Sequence, residues 1–177
     1  MSYGPILVRY AREKLREALG GPVAVKPDGA WCIERAATFV TLRWKANGHL
    51  QGCIGSLEAE RAIVDDVAHN AVAAGTRDPR TRPCTLADVD HLDVELSILS
   101  PLESIAGEHE IRKGTDGIVL FHRGRRATFL PVMWERLPTL DRFMSELRTK
   151  CGLPRDFAGE VQLMRYTVDK HEDPAPR

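Results

Sequence analysis

No stretch of this sequence approaches the roughly 20 consecutive apolar residues that a membrane-spanning helix needs. The opening Met1-Ser2-Tyr3-Gly4-Pro5 also lacks the basic-then-apolar layout of a signal peptide, so a cytoplasmic location is the expectation. Cysteine is sparse and scattered. Cys32, Cys53, Cys84 and Cys151 form no CxxC pair, which argues against a disulfide framework or a zinc knuckle and leaves reduced thiols. Neither sign of charge is in excess, with Lys plus Arg and Asp plus Glu at 25 each, so no global field would hold nucleic acid or an anionic membrane. A Gly-rich phosphate loop, a GxSxG elbow and a GxGxxG fingerprint are missing, and so are HxH, HExxH and any local Cys/His cluster. Nucleotide-dependent chemistry, serine hydrolysis and a metal site therefore have no foothold.

What is present is a 177-residue chain with 43% apolar residues, the size of one domain with one substantial core or two lobes. Ile6, Leu7, Tyr10, Ala11, Leu15 and Leu19 recur at helical spacing until Gly20-Gly21-Pro22. Residues 38–45 and 49–54 flank Asn47-Gly48, the pair suited to a two-residue type I′ turn, and predict a hairpin. Ile63, Val64, Val67, Ala68, Ala71 and Val72 predict a helix lying on a sheet, with Asp65, Asp66, His69 and Asn70 toward its other side. A charged, proline-broken loop covers 76–83. A short helix over 85–89 and a strand through Val94, Leu96 and Ile98 follow. A second hairpin turns at Arg123-Gly124. Then come a helix through Leu140, Phe143, Met144 and Leu147, ended by Gly152, and a last strand over 161–168. From Asp169 the chain reads as a loose polar tail. Helices interleaved with antiparallel hairpins, without regular βαβ units, predict an α+β fold with a mixed, largely antiparallel sheet and flanking helices.

Cys53 stands out chemically, because a thiol between two glycines sits where the backbone is open to close approach. His49 shares its strand face but lies roughly 13 Å away at about 3.3 Å per residue, too far to act as its base. A two-residue turn would put Val40, Leu42 and Trp44 on that face, a setting for an inert core cysteine. Arg77, Arg80 and Arg82 with Asp78 offer guanidinium forks to an anionic ligand, or form an ordinary solvated loop. His69, three and four residues after Asp66 and Asp65, is either oriented by a carboxylate or part of a solvated face. Arg123, Arg125 and Arg126 form a second basic cluster, without interleaved aromatics that would stack bases. Lys150 caps a helix C-terminus or points into a cleft.

Taken in order, Leu50-Gln51-Gly52-Cys53-Ile54-Gly55, Asp78-Pro79-Arg80, Thr128-Phe129-Leu130-Pro131 and Lys150-Cys151-Gly152-Leu153 resemble the AMMECR family, called AmmeMemoRadiSam system protein A in prokaryotes. The family's hallmark segment reads Leu-Arg-Gly-Cys-Ile-Gly, so Gln51 replaces an arginine here. Thr81 stands where the family has Phe after Asp-Pro-Arg, and Cys151 where it has Ala before Gly-Leu. The resemblance spans nearly the whole chain. It implies one domain over residues 5–168 with two sub-lobes, followed by the tail 169–177. It further implies a site edged by Cys53 as catalytic candidate, with Gln51, Gly52, Asp78, Arg80 and Lys150 as ligand-binding candidates; no cofactor or metal is specified. A Memo-like protein and a radical S-adenosylmethionine enzyme are the implied partners, with this chain as an accessory or substrate-presenting component. Two alternatives stand beside it: a thiol-dependent enzyme using Cys53, and an RNA- or nucleotide-binding module using residues 77–82 or 123–126.

Overall fold

The computed structural model describes residues 3–173. It contains three α-helices, α1 (Gly4–Ala18), α2 (Ile63–Thr76) and α3 (Leu140–Lys150). The eight strands are β1 (Ala37–Trp44), β2 (Leu50–Gly55), β3 (Leu92–Leu99), β4 (Glu103–Ile105), β5 (Gly117–His122), β6 (Arg125–Phe129), β7 (Gln162–Tyr166) and β8 (Val168–Glu172). They form two four-stranded sheets, β2-β1-β3-β8 and β4-β7-β5-β6, so the fold is α+β. The chain divides into two units: one runs to Leu99 and resumes at Asp169, and the other is Ser100–Val168.

In the first unit, α1 and α2 cover one face of the sheet. Leu7, Ala11 and Leu15 from α1, and Val67, Ala71 and Ala74 from α2, pack with Val40, Leu42, Val94 and Leu96 from the strands. Strand alternation puts these apolar residues on one side, and Phe39, Thr41, Cys53, Glu95 and Ser97 on the other. Asp66 and Asn70 depart from the expected polar face of α2, because both are fully buried. The Asp66 carboxylate accepts from Thr38 N and Oγ1, Ser56 Oγ, Asn70 Nδ2 and Arg61. That many donors make burial of a carboxylate tolerable, and they tie α2 to the start of β1 and the end of β2.

The β1–β2 hairpin forms, but its turn differs from the expectation. Trp44 N bonds to the His49 carbonyl and Gly48 N to the Trp44 carbonyl, which closes a four-residue loop over 45–48. Gly48 takes φ +70°, whereas Asn47 keeps a negative φ, so the turn is not type I′. The longer loop shifts the pairing by two residues and alone would preserve the faces. A bulge then lets both Leu50 and Gly52 pair with consecutive residues of β1, leaving Gln51 over. That extra residue swaps the faces, so Cys53 sits opposite Thr41 rather than Leu42.

The tail expected from Asp169 is ordered through Asp173. β8 adds an edge to the first sheet, and Asp173 accepts from Arg12 and from Val94 N. In the second unit, α3 packs Phe143, Met144 and Leu147 against Ile118, Leu120 and Leu163, with Trp134 stacked on Phe143. Its β5–β6 hairpin turns at Arg123-Gly124 as expected, with φ of 47° and 79°.

Candidate functional site

β2 is an edge strand, and at an edge every second residue points its N–H and C=O away from the sheet. Cys53 is such a residue. Its N–H donates to Asp78 Oδ2 at 2.8 Å, and its carbonyl accepts from Arg80 Nη2 at 3.1 Å. The same two side chains lock together: Arg80 Nε donates to Asp78 Oδ1 at 2.9 Å and Arg80 Nη2 to Oδ2 at 2.6 Å, while Arg80 N closes a local turn onto Oδ1. The carboxylate is fully buried and the guanidinium mostly exposed. The hydrogen bonds from Arg80 hold the Asp78 carboxyl far below the usual carboxylate range, against the opposing effect of burial. Asp-Pro-Arg thus replaces a missing neighbour strand at one residue.

Gly52 is needed on the helix side. A Cβ there would lie 1.9 Å from the Ala74 carbonyl oxygen at the end of α2, and backbone cannot give way to it. Gln51, re-aimed by the bulge, is buried and donates from Nε2 to the Arg82 carbonyl at 2.6 Å. The Cys84 thiol that follows in the same loop has its pKa raised by burial. The glutamine therefore holds the loop after α2 as a neutral donor.

The three loop arginines do not converge. Arg80 is spent on Asp78. Arg82 binds Asp88 through both terminal nitrogens and lies 5.5 Å over the Trp44 ring. Its hydrogen bonds hold Asp88 far below the carboxylate range, helped by the backbone of Thr85. His69 is held below the ordinary imidazole pKa, first by burial and then by Arg61 and Arg77. Lys150 belongs to the second unit, where its Nζ donates to the Thr128 carbonyl at 2.9 Å and lies 5.0 Å over the Phe129 ring. β6 is an edge strand as well, so the Lys150 and Arg80 cations do the same job in their separate units. In Thr128-Phe129, the threonine hydroxyl reaches the Ile118 carbonyl and the Tyr166 hydroxyl, whose pKa burial pushes up to about 12.

The thiol itself is half-buried. It accepts a hydrogen bond from the Thr41 hydroxyl at 3.1 Å. Thr41 pairs on its other side with Glu95, and Glu95 is ion-paired to Lys170 at 3.0 Å. Cys53, Thr41, Glu95 and Lys170 therefore form one polar row across four strands. Sequence reasoning missed the last three, because the row depends on a register that the Gln51 bulge sets. The legible signal was Thr41 inside the otherwise apolar run Phe39-Val40-Thr41-Leu42. Among the described residues, no group of three or more His, Cys, Asp or Glu side chains is placed to hold a metal ion.

A two-unit α+β fold whose hallmark Gly-Cys strand is clamped by Asp-Pro-Arg and whose second unit carries Thr-Phe-Leu-Pro defines a recognisable class. The chain belongs to the AMMECR1 family, whose model matches residues 8–171. Protein MJ0810 of Methanocaldococcus jannaschii is 31% identical, over 98% of this chain and 92% of that protein. A protein of Methanothermobacter thermautotrophicus is 33% identical, over 98% of this chain and all of that one. The crystal structure of PH0010 from Pyrococcus horikoshii is similar in fold, with a TM-score of 0.86 at 28% identity, covering 96% of this chain and 91% of that chain. No helix of the described residues is long and apolar enough to cross a membrane.

Proposed function

We propose that the protein is an accessory component that presents a fixed strand to its partners, acting in the cytoplasm with a Memo-like protein and a radical S-adenosylmethionine enzyme. The observation that supports this is how the hallmark residues are used. Asp78 and Arg80 neutralise each other and occupy both outward backbone groups of Cys53, so their charges serve position rather than a ligand. Fixing a backbone in advance lowers the ordering cost of docking, which suits a surface read by another protein. Family membership supports the same reading. Its test is co-purification of the chain with the Memo-like protein and the radical enzyme of the same genome. Retention of either partner supports the proposal; clean failure with both, using folded protein, defeats it.

The polar row favours a second reading, a thiol-dependent enzyme using Cys53. The Thr41 hydroxyl donates to the Cys53 sulfur and fixes its position, and Glu95 stands next in line. The rate of alkylation by iodoacetamide against pH decides it. A Cys53 that reacts no faster than free cysteine at neutral pH removes this reading.

A further inference from the structure

The basic tip at Arg123 lacks interleaved aromatic residues in sequence, but folding supplies them. At one end of the second sheet lies a groove of about 960 Å³, walled by Ile105, Phe121, Phe157 and Val161. That is within the range of roughly 300–1,000 Å³ common for small-molecule sites. The Phe157 ring is fixed in advance. It lies on Gly159, where a Cβ would fall 2.5 Å from it, and it meets the His122 ring edge-on with centroids 4.9 Å apart. His122 Nδ1 donates in turn to the Glu160 carbonyl at 3.0 Å, tying the hairpin to the loop that carries Phe157.

Arg123 supplies a second, independent sign. It is the one non-glycine among the described residues at positive φ, in a turn that favours Asn, Asp or Gly. Holding an arginine there costs about 1–2 kcal/mol. Its guanidinium is exposed, with no partner among the described residues, whereas the neighbouring Arg125 is committed to the Gly152 carbonyl.

We propose that this groove binds a nucleotide. The flat apolar walls take a base, and aromatic stacking suits any base. Gln162 both donates and accepts, as a base edge requires, and Arg123 takes a phosphate. The Glu160 carboxylate, which would repel a bare anion, accepts from a ribose hydroxyl. A phosphate alone would leave the rings unused, and a neutral apolar ligand would leave Arg123 unpaired.

The test is calorimetric titration of the full chain with AMP, CMP, GMP, UMP, inorganic phosphate and a short oligouridylate. Two variants accompany it. Arg123→Gly removes the cation while suiting the left-handed turn, and Phe157→Leu keeps apolar volume while removing the ring. Each is expected to weaken nucleotide binding about tenfold, with a melting temperature unchanged or raised for Arg123→Gly, whose relief of strain opposes the added freedom of the unfolded chain. Tighter, salt-sensitive binding of the oligouridylate identifies single-stranded RNA as the source of the nucleotide; tighter binding of a mononucleotide identifies the free metabolite. Absence of binding by every nucleotide at millimolar concentration overturns the proposal. So does equal binding by Arg123→Gly, or phosphate binding as tight as any nucleotide.

Discussion

Asp78 accepts the backbone N–H of Cys53 at 2.8 Å from a fully buried carboxylate, although 25 residues of chain separate them. That contact joins the loop after α2 to the open edge of β2. Its loss has unequal costs for the two members of the clamp. Asp78→Ala strands a part-buried backbone donor and deprives Arg80 of its partner, so it is expected to destabilise the protein by about 2–4 kcal/mol. Arg80→Ala takes the cation from the buried carboxylate but leaves Asp78 bonded to two backbone N–H groups, and the exposed guanidinium is screened by water, for about 1–2 kcal/mol. Urea denaturation of both variants checks the order; equal costs would contradict it.

Acid sensitivity follows from the same carboxylate. The folded pKa of Asp78 lies well below its unfolded value, so the native state holds fewer protons across the interval between them. Its stabilising contribution is fully present above the ordinary carboxylate range and is lost as pH falls through that range toward the depressed folded value. Asp88 acts in the same direction through Arg82. Unfolding free energy measured from pH 6 down to pH 2 should therefore decline less steeply in Asp78→Asn than in the wild type. A parallel decline would show that the clamp carries no linkage.

Gly52 answers to packing rather than to conformational freedom. Its absent Cβ would meet the Ala74 carbonyl oxygen at 1.9 Å, so Gly52→Ala must separate β2 from the end of α2. A loss of about 3 kcal/mol or more in thermal or urea unfolding is expected. Gly48→Ala, with open space around it and only its φ of +70° at stake, should cost about 1 kcal/mol.

Thiol labelling separates the cysteines. Cys32, Cys84 and Cys151 are buried and Cys53 is half-buried, so a mild thiol reagent should modify Cys53 alone in the native protein. Native labelling should fall to zero in Cys53→Ser, and unfolding should expose four sites in the wild type and three in the variant. Native labelling that persists in Cys53→Ser would contradict these burials.

Much of the fold was legible because apolar spacing dictates it. The three helices and both hairpins stand where Leu7-Ala11-Leu15, Val67-Ala71 and the Asn47-Gly48 and Arg123-Gly124 pairs place them. What sequence did not show was which strands would be edges and where the ladder would slip. One bulge at Gln51 moved Cys53 from the expected Leu42 face to that of Thr41. β8 escaped notice because Val168-Asp169-Lys170-His171-Glu172 is an edge strand held by ion pairs, whose polar composition mimics a tail. The same blindness to edges hid that Asp78, Arg80 and Lys150, the ligand-binding candidates of the sequence, each bond the backbone of a distant strand.

Amide hydrogen exchange at Cys53 tests that assignment most directly. In the wild type its N–H, pointing out of the sheet, should be as well protected as the interior amides of β1. In Asp78→Ala, after correction for global stability, its protection should fall about tenfold or more, the equivalent of one net hydrogen bond, while the interior amides of β1 keep theirs. Unchanged protection of the Cys53 amide in Asp78→Ala would contradict the clamp, and with it the presentation of a fixed Cys53 strand.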